Sequence, residues 1–191
     1  HGVSTLANIS MTEVSLMCHP QSDAGGIEAI DVTATLGQGG EIELVYRITG
    51  AIEALKIAGP AIPDRVDGLS KNTCFELFVG NSEDKSYLEY NFAPSGQWAA
   101  YQFSGYRAGM AQLGGRAPVI STVQSGDVLT VSVRLSMPDT APDADLSVGI
   151  SAVVATKSGK ISYWALAHPA GSPDFHHKDC FALKLKARSG P

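Results

Sequence analysis

The chain has 191 residues, a formal net charge of −5, 44% hydrophobic residues and 17% charged residues. That length suits one globular domain with a sizeable core, and the mixed charges leave no basic stripe of the kind that binds nucleic acid. No apolar run is long enough to cross a bilayer, so we expect neither a nucleic-acid partner nor a membrane partner.

The N-terminal stretch carries no recognisable targeting signal. Residues 1–10 lack a basic region followed by a continuous apolar region, both of which a secretory signal has. The sequence Met11-Thr12-Glu13 resembles a natural start. We therefore predict one domain over residues 11–188, preceded by a segment, residues 1–10, that is either disordered or left from cloning.

The first half of the chain alternates apolar and polar residues as strands do. A short apolar run at 14–19 is followed by two longer alternating segments, 27–36 and 41–49, which the turn Gly37-Gln38-Gly39-Gly40 separates. This pattern predicts a hairpin. Residues 50–71 contain two prolines and no sustained period, and an irregular loop of this length in a compact domain is often functional.

The middle of the chain predicts three consecutive strands at 73–79, 86–92 and 97–103. A charged turn and the segment Ala93-Pro94-Ser95-Gly96 connect them, and such short connections require antiparallel pairing. In the simplest register, one face is apolar and carries Phe75, Leu77, Val79, Leu88, Tyr90, Phe92, Ala99, Tyr101 and Phe103. The opposite face is mixed and carries Cys74, Glu76, Phe78, Tyr87, Glu89, Asn91, Trp98, Ala100 and Gln102.

The second half adds further short strands between irregular loops. Strands are predicted at 119–124, 128–135, 146–155, 160–167 and 180–186, and loops at 104–118, 137–145 and 168–179. About ten strands with no amphipathic helix of three turns indicate an all-β fold, an antiparallel β-sandwich or jelly roll.

Three cysteines lie far apart in the sequence: Cys18, Cys74 and Cys180. Their odd number and the absence of a CxxC motif argue against a disulfide framework. Free cysteine is most often a small buried hydrophobic residue, and free thiols are typical of reducing compartments. The sequence thus predicts free cysteines and a cytoplasmic protein.

The mixed face of the central strands is a candidate binding surface. Carboxylates and amides beside aromatic rings suit a polar ligand, which needs a flat surface to stack on and fixed groups to orient it. A solvated sheet face with scattered aromatic residues fits the same pattern. Both interpretations stay open at this point.

Two loops add further candidate groups. The segment 168–179 holds His168, Asp174, His176 and His177, which could bind backbone carbonyls and so fix the loop, contact a ligand, or hold a metal. In the loop after the third central strand, the planar guanidinium of Arg107 could stack and donate a fork of hydrogen bonds to a ligand, or it could bond loop carbonyls. Tyr106 precedes it.

No catalytic motif is present. The sequence contains no G-x-S-x-G, P-loop or H-E-x-x-H pattern. Glu76 and Glu89 could form a pair like that of a glycosidase, but sandwich enzymes usually add a deep cleft built by longer loops. We therefore predict a protein that is not an enzyme.

The segments FELF, PSGQWAAY and HPAGSPDFHH, in this order, resemble DOMON-like domains related to family 9 carbohydrate-binding modules, and most of all a bacterial subgroup of stand-alone proteins. The resemblance implies a jelly-roll sandwich with a non-catalytic, ligand-binding role. In the sugar-binding relatives two Trp rings clamp a sugar, and a Glu on the FELF-type strand bonds its hydroxyls. Glu76 matches that Glu, whereas Ser70 stands where one Trp is expected.

The leading hypothesis is a non-catalytic module that binds a carbohydrate or a similar small polar ligand, without cofactor or metal. Glu76 would supply a charged acceptor, and Trp98 the stacking ring in preference to Trp164, which alternates with Tyr163. The predicted ligand-binding residues are Glu76, Glu89, Trp98, Gln102, Tyr106, Arg107, Trp164, His168, His176 and His177.

Two alternatives stay open. Other DOMON relatives bind haem through Met and His, for which Met110 and His168 are available, and a metal could take the place of haem. A protein-interaction module with a vestigial pocket is the second alternative. The sequence fixes neither the ligand nor the oligomeric state.

Overall fold

The computed structural model describes residues 10–80, 84–138 and 145–186. The described residues form strands and short 3-10 turns and contain no α-helix, and no helical segment among them is long and apolar enough to cross a membrane. Most of the predicted N-terminal segment, part of the predicted loop 137–145 and the last two residues of the predicted domain lie outside these ranges. Because only part of these segments is described, the predicted domain limits stay a prediction.

The strands alternate with turns in the order that the sequence predicts, with short additional strands near both edges of one sheet. Their bounds are β1 (Ser10–Ser15), β2 (Met17–Cys18), β3 (Ile27–Leu36), β4 (Glu41–Gly50), β5 (Cys74–Gly80), β6 (Tyr87–Phe92), β7 (Trp98–Phe103), β8 (Ala111–Gln112), β9 (Val119–Ser125), β10 (Val128–Ser136), β11 (Leu146–Ala155), β12 (Ile161–Ala165) and β13 (Leu183–Leu185).

Two sheets pack face to face. Sheet A has the order β1-β3-β4-β10-β9, and sheet B has the order β2-β12-β11-β5-β6-β7-β8, with β13 also paired to β11. All of these strand pairs are antiparallel. The predicted antiparallel β-sandwich is confirmed.

The main core lies between the sheets and follows from period-two alternation. Sheet A contributes alternate residues of β3, β4 and β10, and sheet B contributes the face of β5 that carries Phe75 and Leu77. Tyr46 is fully buried among them, and its hydroxyl donates a hydrogen bond of 2.8 Å to the backbone oxygen of Glu76. This bond satisfies a polar atom that would otherwise lower stability in the core, and it joins the two sheets.

A second apolar layer covers the outer face of sheet B. All seven residues of β5 are buried, because loops pack on the face that points away from sheet A. The covering side chains include Leu69, Phe175 and Phe181, which contact Phe78 and other residues of the sheet. Sheet B is therefore buried on both faces, whereas sheet A exposes its outer face.

The predicted phase of β7, which decides the face of sheet B on which each of its side chains lies, is wrong. The sequence-based register assumed a turn at residues 93–96, but the backbone nitrogen of Ala93 bonds Gln97 at 2.9 Å, so the hairpin closes around residues 94–96. Gly96 adopts a positive φ of 94° there, which favours glycine. A shift of one residue in pairing moves every side chain to the opposite face. Phe92 is accordingly paired with Trp98, and Glu89 with Tyr101.

The phase of β7 decides the positions of two predicted ligand-binding residues. Trp98 is 7% exposed and belongs to the core between the sheets, where the guanidinium of Arg65 covers its ring at 4.4 Å. Gln102 is exposed but shares the side of the sheet that carries Leu88. Neither residue lies on the face of Glu76 and Glu89, so the predicted stacking role of Trp98 on that face is wrong.

The last loop is seated on two glycines of sheet B. A Cβ atom at Gly80 or Gly149 would lie 3.0 Å from the ring of Phe181, and one at Gly149 would also lie 3.1 Å from the backbone oxygen of Cys180. These glycines allow the ring to lie flat against the sheet. The position of Phe181 therefore depends on the absence of side chains beneath it.

This close packing predicts that Gly149→Ala destabilises the protein. We expect a net loss of about 1–2 kcal/mol in the free energy of unfolding, because overpacking costs about 1–3 kcal/mol and the lost glycine freedom returns about 0.5–1 kcal/mol. Chemical denaturation measures the change. The matched control is Gly114→Ala, where nothing lies within 4 Å of the added methyl group. Equal free energies of unfolding for the two variants would contradict the close packing of Phe181 on Gly149.

Candidate functional site

The outer face of sheet B holds two buried carboxyl groups. Glu76 on β5 is 6% exposed and Glu89 on β6 is 7% exposed, and both side chains leave the sheet on the side opposite the main core. Ser151 on β11 faces Glu76, to which it is paired. The structure thus places both Glu residues on one face, as the alternation in β5 and β6 predicts.

Burial favours the protonated form of Glu76. Its Oε2 accepts a hydrogen bond of 3.4 Å from Ser151 Oγ, and in the orientation that satisfies its amide, Asn91 donates to Oε1 at 3.2 Å. Burial raises the pKa of Glu76 to about 8, the charge of Glu89 adds to the increase, and the Ser151 hydrogen bond opposes it. Burial thus favours a neutral acid over the charged acceptor that the sequence predicts, and the role of Glu76 toward a ligand stays a prediction.

Glu89 faces the imidazole of His176. Nε2 of His176 lies 3.5 Å from Oε1 of Glu89. Burial raises the pKa of Glu89 to about 7, against the effect of Arg107. Burial lowers the pKa of His176 to about 4; the charge of Arg107 acts in the same direction, and Asp174 opposes it. The imidazole is therefore neutral in the folded protein at neutral pH.

Tyr87 connects this imidazole to the loop after β7. Its hydroxyl accepts a hydrogen bond of 3.1 Å from the backbone nitrogen of Arg107 and lies 2.7 Å from His176 Nδ1. We assign the Tyr87 proton to the bond with Nδ1, because the hydroxyl oxygen already accepts from Arg107. The neutral imidazole then carries its proton on Nε2, where it points at Glu89.

Asp174 holds two loops together at the margin of this face. Its carboxylate accepts hydrogen bonds from the Tyr106 hydroxyl, from Arg107 Nη2 at 2.8 Å and from the backbone nitrogen of His176 at 3.2 Å. Arg107 has a φ of 50°, a conformation that costs a residue other than glycine about 1–2 kcal/mol. The contacts with Asp174 and Tyr87 maintain it.

An open cleft of 560 Å³ lies beside this network. Its walls combine aromatic rings with basic and polar side chains, and Tyr87 and His176 belong to both the network and the cleft. The lining residues are Gly80, Asp84, Lys85, Ser86, Tyr87, Tyr106, His176, His177, Lys178 and Phe181. This volume falls within the range of small-molecule sites, roughly 300–1,000 Å³.

Six of the predicted site residues lie at or near this network. Glu76, Glu89, Arg107 and His176 form its polar interior and margin, and Tyr106 and His177 line the cleft. His177 differs from its neighbour, since its Nδ1 accepts a bond of 3.1 Å from the backbone nitrogen of Asp179. The two histidines lie in a turn, in which the backbone nitrogen of His177 donates to Asp174 O at 3.3 Å, and both line the cleft although their hydrogen-bond partners differ.

The structure places Trp164 and His168 away from the cleft. Trp164 is 5% exposed and packs between the sheets, where its Nε1 donates to Ser162 Oγ at 2.9 Å. Of these two alternating residues, Tyr163 takes the outer face, so Trp164 cannot supply a stacking ring there. His168 Nε2 bonds the backbone oxygen of Met17 at 2.7 Å and its ring packs against His19, which matches the carbonyl-binding interpretation.

Several cleft residues carry no clear sequence signal. Lys85, Ser86 and Lys178 lie in turns with ordinary polar composition, and Phe181 is an isolated aromatic residue near the end of the chain. Tyr87 could have been found, because it alternates with Glu89 on the mixed face of β6. Its hydrogen bonds to His176 and Arg107, which lie in two distant loops, could not have been predicted from the sequence.

Within the described ranges, no group of three or more His, Cys, Asp or Glu side chains lies close enough to hold a metal ion. The two residues considered as haem ligands, Met110 and His168, lie in different surroundings. Met110 is largely exposed in the loop after β7, and His168 is engaged with the backbone of β2. The structure therefore offers no observation in favour of a metal or haem site.

No protein-family model matches the chain, and no curated protein matches it in sequence. Solved structures share its fold. A Bacteroides uniformis protein provisionally described as carbohydrate-binding has 11% identity and a TM-score of 0.60, over 90% of this chain and 84% of its own. A family 9 carbohydrate-binding module from Caldicellulosiruptor kristjanssonii, solved with cellotriose, has 11% identity and a TM-score of 0.56, over 94% and 84%.

A further family 9 module structure from Caldicellulosiruptor kristjanssonii, solved with glucose, has 11% identity and a TM-score of 0.50, over 85% of this chain and 80% of its own. These likenesses extend over most of each chain. The protein therefore has the β-sandwich fold that is also found in family 9 carbohydrate-binding modules.

The buried carboxyl pair predicts a decrease in stability with rising pH. The folded pKa of Glu76, about 8, exceeds its ordinary value of 4.5, so the folded state retains a proton that the unfolded state loses, and stability falls as pH rises through this range. His176 acts oppositely only between about pH 4 and 6.5. Between about pH 6.5 and 8 the carboxyl effect should therefore dominate.

Melting temperatures at both ends of this window test the effect. Glu76→Gln should keep the fold and reduce the decrease, because glutamine resembles the protonated acid in size and remains neutral. The matched control is Glu28→Gln at an exposed position of β3, which should behave like the parent. A decrease of the same size in all three proteins would show that Glu76 is not its source.

Proposed function

We propose that this protein is a non-catalytic module that binds a carbohydrate or a similar small polar ligand in the cleft at the outer face of sheet B. The observation that carries the proposal is the composition of that cleft. Exposed and half-buried rings stand beside hydrogen-bonding groups around 560 Å³ of open volume. This is the combination that sites for small polar ligands use.

The rings and the polar groups have separate roles in this proposal. Tyr106 is 57% exposed and offers a flat surface on which the apolar face of a sugar ring can stack. Ser86, His177 and the lysines at 85 and 178 line the same cleft and carry groups that can bond hydroxyls. Asp174 fixes the Tyr106 hydroxyl, so the ring is ordered before a ligand arrives and little conformational entropy is lost on binding.

The fold supports the same proposal. Two similar structures from Caldicellulosiruptor kristjanssonii were solved with cellotriose and glucose, and the FELF segment matches the strand whose Glu bonds a sugar in such modules. From this segment we also propose that the chain is related to bacterial DOMON-like domains. Glu76 itself is not among the residues that line the cleft, so in this proposal it does not contact the ligand.

The position of the carboxyl pair favours binding without catalysis. A glycosidase needs two carboxyl groups on either side of the bond that it cleaves. Glu76 and Glu89 are buried under the loops and do not belong to the cleft lining. A sugar held in the cleft would therefore not meet both groups.

A reducing compartment is also part of the proposal. Cys18, Cys74 and Cys180 are free, and the last two are buried. Free thiols that serve as packing residues are typical of proteins from reducing compartments such as the cytoplasm.

Removing the exposed ring should weaken binding. For Tyr106→Ala we expect an affinity about tenfold lower, which corresponds to about 1.4 kcal/mol, because the stacking surface is lost. The matched control is Tyr106→Phe, which keeps the ring and loses only the bond to Asp174. Isothermal titration calorimetry with glucose, cellotriose and other simple sugars provides the measurement. Unchanged affinity in Tyr106→Ala would place the ligand elsewhere, and the absence of binding by any sugar to the parent would contradict the proposal.

A ring added before β5 tests whether the ligand occupies the cleft. Ser70 is exposed in the 3-10 turn Leu69–Lys71 that leads into β5, where the family resemblance places a Trp, whereas the cleft is lined by Gly80 at the other end of β5 and not by Ser70. We therefore expect Ser70→Trp and its control Ser70→Leu to bind sugars like the parent in calorimetry. A several-fold higher affinity in Ser70→Trp alone would place the sugar at the start of β5 and contradict the proposed cleft.

A further inference from the structure

The strand β9 forms a long open edge of sheet A. It is the outermost strand of that sheet, and its sequence VISTVQS contains neither charge nor proline. Val119 is 65% exposed and Val123 is 63% exposed. Proteins usually protect such edges with charged residues, proline or bulges, because an open edge pairs readily with another strand.

The hydrogen bonds at the two ends of β10 show which backbone groups of β9 are free. Gly50 N donates to Asp127 O at 3.0 Å, and Met137 N donates to Gly40 O at 2.8 Å. In an antiparallel ladder the direction of the backbone groups alternates along each strand. The odd-numbered residues of β10 therefore face β4, and the even-numbered residues face β9.

The register between β10 and β9 transfers this alternation to the edge. The even-numbered residues of β10 pair with Val119, Ser121, Val123 and Ser125, whose backbone groups are used in that ladder. Ile120, Thr122 and Gln124 consequently direct their N–H and C=O groups outward. In the described part of the chain, β9 pairs with no strand except β10.

We propose that a second copy of this chain binds here by antiparallel pairing of the two β9 strands, centred on Thr122. This register pairs Thr122 with its own copy and Ile120 with Gln124 of the other copy. It uses all three outward-facing residues, and each pair exchanges two hydrogen bonds. The result is one continuous sheet across a twofold axis.

The chemistry of the edge favours a second copy over an unrelated strand. The residues of β9 carry no charge that would select a charged partner, whereas the hydrogen-bonding pattern of the strand is complementary to itself about Thr122. The opposite edge of the sheet, β1, carries the exposed Glu13. The outermost strands of sheet B are only two residues long. Among the described edges, β9 is therefore the one suited to extended pairing.

Side-chain contacts fix β9 in the conformation that pairing requires. Thr122 Oγ1 donates to the backbone oxygen of Pro94 at 2.8 Å, and Gln124 Nε2 donates to Glu53 Oε1 at 3.0 Å. Both contacts lie on the side that faces sheet B. The side chains of Val119, Ser121 and Val123 lie on the opposite, exposed face of sheet A. A second copy would therefore meet an edge that is already ordered.

Sedimentation velocity over a range of concentrations tests the proposal with the whole chain. We expect a reversible monomer–dimer equilibrium in the parent. In the proposed register Ser121 lies opposite Val123 of the other copy. S121K/V123K would place like charges in two close pairs and should raise the dimer dissociation constant at least tenfold. S121K/V123E would place opposite charges in the same pairs and should restore dimerisation.

A matched control adds the same charge elsewhere on sheet A. T33K/T35K changes two half-buried positions on β3, on the same outer face but separated from β9 by the two strands β4 and β10, and should dimerise like the parent. Circular dichroism confirms that each variant is folded. A parent that stays monomeric up to its solubility limit overturns the proposal, as does a dimer that S121K/V123K leaves intact or that S121K/V123E does not restore.

Amide hydrogen exchange gives a second, independent measurement. In the dimer the amides of Ile120, Thr122 and Gln124 should become protected as the concentration rises, whereas those of Ser121 and Val123 should be protected at every concentration by β10. Exchange at Thr122 that does not depend on concentration overturns the proposal even if the protein dimerises through another surface.

Discussion

The outer face of sheet B carries a large apolar cluster beside its polar groups, and the loops that cover this cluster determine most of the remaining structure. Phe78 and Tyr87 stand on this face beside the polar groups, and the loop that follows β12 returns over them. That loop is held by close packing and by hydrogen bonds. Phe181 lies on two glycines, and Cys180 Sγ donates to the backbone oxygens of Ala167 and Asp174. A sheet buried on both faces needs such a cover, because exposing its apolar area would cost about 25 cal/mol per Å².

The same cover accounts for the electrostatics of the candidate site. Once the loop lies over the sheet, Glu76, Glu89 and His176 lose most of their contact with water, and burial disfavours the charged form of each. The carboxyl groups have a raised pKa and the imidazole a lowered one. The network therefore functions mainly through neutral hydrogen bonds. Full charges lie at its margin, where Arg107 and Asp174 remain in contact with solvent, whereas Glu89, with a pKa of about 7, is ionised in part at neutral pH.

The two sheets contribute different surfaces to the molecule. The cleft lies where the cover of sheet B ends, so that a rigid, hydrogen-bonded floor adjoins open volume; sites built on such supports lose little entropy on binding. Sheet A has no cover, and its outermost strand β9 leaves backbone groups unpaired at a free edge. Pairing at that edge involves sheet A alone, whereas the cleft belongs to the outer face of sheet B. The proposed association and the proposed ligand binding thus use separate parts of the sandwich.

The sequence by itself determined the longer strands, the antiparallel pairing of β5, β6 and β7 and the common face of Glu76 and Glu89, because alternation along a strand and short turns are local properties. Only the tertiary structure decided the face of Trp98 and Trp164. For Trp98, a single hydrogen bond between Ala93 and Gln97 sets the phase of β7, and composition did not reveal it. The partners of His176 and the protonation of Glu76 also required the fold, since burial depends on loops that are distant in sequence and pack only after the sheets have formed.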